Sequence, residues 1–331
     1  MTKKTKNVRK GLKNGLETVR IERDIVPILG VAVDSTKRGR VLSQVTSFLE
    51  KNRTQARVGQ GQEFLGNLPK LFVATPNPEI VNLASREASL RKILGQASLC
   101  VPDGIGIIMA QRFLRMQVPK FPGVTQLVLL GSGLWVGISA IIARDWLISF
   151  GETVPGRLLF EDLVSMSAKK GWKVFLLGGG QGIAEKAADI IQNSKFKTQN
   201  YNSKFKIYGE AGPRLDMNGL PLNSEEAQVE QDTIERINAF KPDFLFIGFG
   251  APKQEYWLWR NLPKLDIKVG MVVGGTFDSI AGTVFEAPRF VSEIGLEWFW
   301  RLVTQPWRLP RILTAVFVFP LKVFIWRLRN G

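Results

Sequence analysis

The sequence predicts an α/β fold: a Rossmann-like parallel sheet flanked by helices, with a basic, Trp-rich C-terminal membrane-associating appendage. Three observations predict it. Short β-rich runs are each followed by a turn containing Gly, Pro or Asn and then by a helical pattern, the order expected of parallel βαβ units. The 331 residues are 45% apolar and 22% charged, a globular composition with ample material for a large core. Residues 298–331 carry Arg301, Arg308, Arg311, Lys322, Arg327 and Arg329 with no acid, interleaved with four tryptophans and the apolar run Ile312–Leu321, a composition suited to a membrane interface, with a basic helix docked on the protein's own core as the alternative. The expected division is a basic N-terminal tail at 1–24, a Rossmann-like domain at 25–297 with an apolar insertion at 121–150, and the appendage at 298–331.

The units follow in order. Leu71–Ala74 precedes Thr75-Pro76-Asn77-Pro78-Glu79, and Lys173–Leu177 precedes Gly178-Gly-Gly-Gln-Gly182. Phe244–Ile247 precedes Gly248-Phe-Gly-Ala-Pro-Lys-Gln-Glu255, and Val269–Val273 precedes Gly274-Gly-Thr-Phe-Asp278. Parallel sheets bind ligands at the carboxyl ends of their strands, where turn amides and helix N-termini face an anion, so four such turns suit one diphosphate crevice. Gly178–Gly182 is not the dinucleotide fingerprint, because Ile183 and Glu185 stand where its last glycine would be, and there is no Walker A sequence. Those glycines serve either a phosphate or close helix–strand packing.

Val101-Pro-Asp-Gly-Ile-Gly106 places Asp103 at a turn that opens an apolar helix over 105–114. Asp103 is either a helix N-cap or, in a chain with no histidine, the leading candidate for a general base. The single cysteine, Cys100, excludes an internal disulfide and any Cys-rich metal cage. Lys253, Gln254 and Glu255 lead into a helix over Tyr256–Asn261 and are either a solvated first turn or donors and acceptors for phosphate and sugar oxygens. Asp278 is a second cap or a ligand contact.

The net charge of +16 suits nucleic acid, anionic lipid or a phosphorylated substrate. Clustering of the basic residues with Trp and apolar runs favours lipid and argues against nucleic acid. Phe121–Ala143 holds 23 residues without a charge, long enough to cross a bilayer. One crossing would separate candidate site residues onto opposite sides, so a re-entrant or leaflet-deep hairpin broken near Gly131-Ser132-Gly133 is expected, with a buried helix pair as the alternative.

At these segments the sequence resembles the WecG/TagA/CpsF family of bacterial glycosyltransferases, glycosyltransferase family 26. The resemblance runs from Ile28-Leu-Gly-Val-Ala-Val-Asp34 through the turns above to Ala287-Pro288, Gly295-Leu-Glu-Trp298, Arg301, Pro306, Arg308 and Arg311. It implies an inverting hexosyltransferase that moves an N-acetylmannosamine-type or related sugar from a UDP-sugar to a polyprenyl-diphosphate-linked acceptor, at the cytoplasmic face of the bacterial cell membrane. Carried over, it makes Asp103 the base, puts Thr75, Asn77 and Gln254 near the active site, and places Arg301, Arg308 and Arg311 in a membrane-binding appendage that reaches the diphosphate. Gly104, Gly179, Gly250, Lys253, Glu255 and Asp278 are the other candidate substrate-binding residues of the matching segments. The chain has no D-x-D sequence, consistent with catalysis without a metal or other cofactor, and the family's habit of self-association implies a homo-oligomer. Two departures stand out. Thr153 and Leu158 replace an Arg and an Asp usual in the family, and the 121–150 insertion is one the family generally lacks. The competing readings are a non-catalytic partner of another transferase and a nucleotide-dependent oxidoreductase or epimerase.

Overall fold

The computed structural model describes residues 21, 23–58, 69–119, 121, 123–149, 152–193, 202–284, 297–306 and 309–330. Most of the basic tail, Ala287, Pro288, Gly295 and Arg308 therefore lie outside the described residues.

Among the described residues, six strands form one parallel sheet in the order β4-β3-β8-β7-β5-β6. They are β3 (Leu71–Ala74), β4 (Leu99–Cys100), β5 (Lys173–Gly178), β6 (Lys206–Glu210), β7 (Phe244–Gly248) and β8 (Val269–Val272). All four expected strands are present, with Val273 moved into the turn after β8. The edge strands β4 and β6 were not among those expected. The sequence conceals them because β4 has two residues and β6 carries polar Lys206 and Glu210.

Side chains alternate along the central strands and build two cores. Phe175, Leu177, Leu245 and Ile247 face one layer, while Val174, Leu176, Phe244 and Phe246 face the other. Helices α2 (Pro78–Ala84), α3 (Ala88–Gln96), α4 (Ile105–Arg115), α9 (Ser224–Phe240) and α10 (Lys253–Asn261) cover the first face. Helices α1 (Arg38–Val58), α7 (Gly156–Lys170) and α8 (Ile183–Asn193) cover the second. This is the Rossmann-like α/β architecture expected.

A separate antiparallel hairpin, β1 (Ile25–Ile28) and β2 (Val31–Asp34), docks against the first face. Its turn holds Leu29 at φ +50° and Gly30 at φ +83°, the mirror-image turn that matches strand twist, and burial of the Leu29 side chain holds it there. Asp34 closes the hairpin. It pairs with Arg23 at 2.5 Å, accepts the Cys100 amide at 2.6 Å, and its carbonyl accepts the Gln111 amide at 2.9 Å. Desolvation outweighs Arg23 and pushes the Asp34 carboxyl above its ordinary value.

The apolar insertion corrects the expectation of a hairpin. It is one helix, α5 (Val124–Ile142), that runs through Gly131-Ser132-Gly133, and the chain turns only at Ala143, before α6 (Arg144–Ile148). Each interior glycine costs about 1 kcal/mol relative to Ala, and packing accounts for one of them. A Cβ at Gly133 would lie 3.5 Å from Phe324 and 3.7 Å from Phe113, so this glycine seats α5 on two aromatic side chains.

The C-terminal segment begins with α12 (Glu297–Thr304), on which Arg301 lies, and continues as α13 (Leu309–Asn330), which widens to a π-helix over Thr314–Val318. By length and composition α13 could cross a membrane. Its inner face instead docks on the domain: Phe319, Val323 and Arg327 are buried, Lys322 donates to Asn82 Oδ1 at 2.7 Å, and Arg327 donates to the Met116 carbonyl.

Candidate active site

The turns at the carboxyl ends of β3, β4, β5, β7 and β8 are tied into one rim. The Val101 amide donates to the Ala74 carbonyl at 2.7 Å and the Asp103 amide to the Pro76 carbonyl at 3.3 Å, joining the turns after β3 and β4. Thr75 Oγ1 donates to the Val272 carbonyl at 3.2 Å, joining β3 to β8. The Gly274 amide donates to Gln254 Oε1 at 3.1 Å, joining the turn after β8 to α10. Finally the Gly179 amide donates to the Gly248 carbonyl at 3.0 Å, joining the turns after β5 and β7. β5 leads outward to β6 whereas β7 leads back to β8, so these neighbours form a topological switch point, where open α/β sheets leave a ligand crevice.

Asp103 stands half-buried on this rim between Pro102 and Gly104. The cap position of α4 falls on Gly104 at φ +88°, one residue later than the capping reading of Asp103 placed it. Asn77 is a cap: its Oδ1 accepts the Ile80 amide at 3.0 Å at the start of α2. Thr75 faces a second partner that spacing alone did not bring to it. A Cβ at Gly156, the first residue of α7, would lie 3.2 Å from Thr75 Oγ1. The Val154 amide also donates to the Pro102 carbonyl at 2.9 Å. The stretch in which Thr153 and Leu158 depart from the family pattern, a loop that runs into the first turn of α7, thus borders Pro102 and Thr75, across a chain separation that hides the contact.

The Lys253-Gln254-Glu255 triplet is the first turn of α10, which starts three residues earlier than expected, and its members diverge. Lys253 Nζ donates to the Leu215 carbonyl at 2.8 Å and so ties α10 to the segment after β6. Gln254 is buried, and its Nε2 donates to Glu255 Oε1 at 3.1 Å while its Oε1 holds Gly274. Glu255 is 3% exposed, and burial pushes its carboxyl up to about 7, with the Gln254 bond opposing. Its Oε2 has no hydrogen-bond partner among the described residues. The solvated-turn reading of this triplet therefore fails for Gln254 and Glu255, which are interior.

Asp278 lies half-buried in the first turn of α11 (Thr276–Ile280), where its carbonyl accepts the Thr283 amide at 3.0 Å. Arg311 pairs with Glu79 at 3.2 Å, two residues beyond Asn77, and so reaches the edge of the rim. A groove of about 550 Å³ lined by Lys173, Lys206, Lys241 and Lys268 opens at the opposite, amino end of the sheet and is no part of this site.

The glycines that matter most for the crevice are the last residues of β5 and β7. A Cβ at Gly178, at φ +111°, would meet the Gly248 backbone at 2.8 Å, and one at Gly248 would meet Phe277 at 2.8 Å. Gly250, at φ +80°, has no atom within 4 Å of such a Cβ. Gly178→Ala is expected to cost about 1–3 kcal/mol through overpacking, with a clearly smaller cost for Gly250→Ala. Urea midpoints of the two variants check this, and equal losses would remove the close β5–β7 approach as the reason for Gly178.

A family model described as Glycosyl transferase WecG/TagA/CpsF family matches residues 26–130 and 134–331. The match is interrupted at 131–133, inside α5, so it extends over most of the stretch read above as an insertion the family generally lacks. An N-acetylglucosaminyldiphosphoundecaprenol N-acetyl-beta-D-mannosaminyltransferase of Staphylococcus aureus strain MRSA252 is 26% identical over 298 residues, covering 90% of this chain and 91% of its own. Its counterpart from strain NCTC 8325 / PS 47 is 25% identical over the same coverage.

Proposed function

Because the chain belongs to the WecG/TagA/CpsF family of glycosyl transferases, we propose that its crevice transfers an N-acetylmannosamine-type or related sugar from a UDP-sugar to N-acetylglucosamine linked to a polyprenyl diphosphate. The observation that carries the reading is the hydrogen-bonded rim that gathers Thr75, Asn77, Asp103 and Gln254 at the carboxyl ends of adjoining strands. The acceptor class follows the names of the two Staphylococcus aureus relatives.

Asp103 is the base in this reading. Its carboxylate takes the proton from the acceptor hydroxyl as that oxygen bonds to C1 of the donor sugar, the C1–O bond to UDP breaks from the opposite face, and UDP leaves with the electron pair. Inversion at C1 is the consequence. Turn amides and helix N-termini around the crevice stabilise the charge on UDP, and Arg311, joined by Arg301 and Arg308 of the same segment, serves the diphosphate of donor or acceptor. This chemistry asks nothing of a metal. The C-terminal segment holds the enzyme at the cytoplasmic face of the membrane, where both substrates are available.

The test is UDP release from a panel of UDP-sugars with a short-chain polyprenyl-diphosphate-N-acetylglucosamine acceptor. Release that requires the acceptor and one donor is expected, with the product bond inverted. No release with any donor, together with faster turnover by an added partner transferase, would replace this reading with the non-catalytic one.

A further inference from the structure

Large apolar residues are exposed along one side of two neighbouring helices. On α5 they include Val124, Leu127, Leu134, Trp135, Ile138 and Ile142, which at about 100° per residue fall on one side of the helix, with Leu127 72% exposed. On α13 the residues Leu309, Leu313, Phe317, Leu321 and Ile325 recur every fourth position, with Phe317 64% exposed. Single exposed apolar side chains are ordinary, but two aligned stripes make a contiguous patch of the kind that marks an interface. The helices belong to one body. Gly133 of α5 lies against Phe324 of α13, and Phe324 stacks on Phe113 of α4 with centroids 6.0 Å apart.

Neither helix is free to cross a bilayer. The segments before and after α5 meet through the Val154 amide and Pro102 carbonyl, so both its ends return to the same domain. α13 is bound along its length by Lys322 to Asn82 and by Arg327, whose guanidinium also lies 4.9 Å from the centre of the Phe113 ring. Their outer faces are left apolar: α5 has no charged residue, and every charged residue of α13 is basic. Of the α13 cations Lys322 and Arg327 are held inward, which leaves Arg311 and Arg329 exposed, and anionic lipid headgroups would complement these two.

We propose that α5 extends the membrane contact of the C-terminal segment: α5 and α13 form one platform that lies in a single leaflet of an anionic bilayer, its apolar face among the acyl chains and the exposed Arg311 and Arg329 at the headgroups. The choice of lipid as occupant rests on the lipid-linked acceptor of the proposed function. The platform also has a place in the reaction. α4, which packs against α5, begins just after Asp103, and α2, which Arg311 and Lys322 tie to α13, begins just after Asn77. A lipid-linked acceptor held in the same leaflet reaches the rim between these two helix starts.

The chain itself provides a clean probe. Cys100 is fully buried, and burial pushes its thiol up to about 12, so a polarity-sensitive thiol dye reports only on introduced cysteines. Leu127→Cys, Leu134→Cys and Phe317→Cys are labelled in the full chain and mixed with phosphatidylglycerol–phosphatidylethanolamine vesicles, with Met217→Cys, exposed far along the chain, as the reference. Dye at 127, 134 and 317 is expected to move to an apolar environment and dye at 217 to stay in water. Leu127→Asp with Leu134→Asp, and separately Phe317→Asp with Leu321→Asp, are expected to weaken vesicle flotation at least about tenfold each. Insertion at 317 alone would remove α5 from the membrane and overturn the proposal. Dye at all three positions remaining in water with vesicles, while the chain forms dimers in light scattering, would make a second copy the occupant and overturn the proposal. Vesicle binding is measured without turnover: insertion with no sugar transfer would sink the transferase reading and leave the platform standing.

Discussion

Asp103→Asn is expected to lower acceptor-dependent UDP release by about 10²–10⁴-fold, the usual contribution of a positioned general base, while binding of UDP stays within a small factor of wild type. The substitution keeps the size of the side chain and removes the basic carboxylate oxygen. Its backbone place is held independently by the Asp103 amide on Pro76 and by Val154 on Pro102, so the turn after β4 should persist. The α4 cap falls on Gly104, which leaves helix formation undisturbed. The measurement is kcat with saturating acceptor, paired with the thermal midpoint. Loss of activity at an unchanged midpoint assigns the proton transfer to Asp103; equal activity in both proteins moves the base elsewhere on the rim.

Glu255→Gln should change how stability depends on pH more than it changes stability at any one pH. In the unfolded chain this carboxyl titrates at its ordinary value of 4.5, and burial raises it to about 7 in the folded protein. Between those values the native state holds a proton that the unfolded state releases, so unfolding free energy falls as pH rises. At about 1.4 kcal/mol per pH unit, the stabilisation present below pH 4.5 declines by about 3 kcal/mol as pH passes through 7. Glutamine does not titrate and can still accept the Gln254 Nε2 hydrogen bond. The wild type should therefore lose stability from pH 5 to 8 relative to the variant, which calorimetry at several pH values reads directly. Parallel curves would mean that Glu255 does not titrate in this window.

The central strands were legible because each is a short apolar run closed by a Gly- or Pro-bearing turn, and because a buried parallel strand needs nothing else to declare it. Two edge strands were not. β4 is two residues long, and β6 alternates polar and apolar residues because one face is uncovered. The hairpin break expected at Gly131-Ser132-Gly133 failed for a related reason: glycine propensity is local, whereas the contact of Gly133 with Phe113 and Phe324 joins residues far apart in sequence.

The candidate site divides in the same way. Asp103 could be named from residue type and turn position, since an acid beside glycine in a chain without histidine has few chemical competitors, whereas Thr75 and Asn77 were singled out by the family resemblance. That Gln254 and Glu255 are interior, that Lys253 is bound to Leu215, and that Gly156 abuts Thr75 depend on how α10 and α7 approach the sheet. Composition and periodicity by themselves determined a parallel α/β domain and a basic, apolar C-terminal segment, and they offered Asp103 as a candidate base. Only the tertiary structure decided that α5 and α13 lie side by side with their inner faces docked. Helix periodicity reveals that a segment is apolar, but which stripe is buried depends on partners that the chain brings from elsewhere.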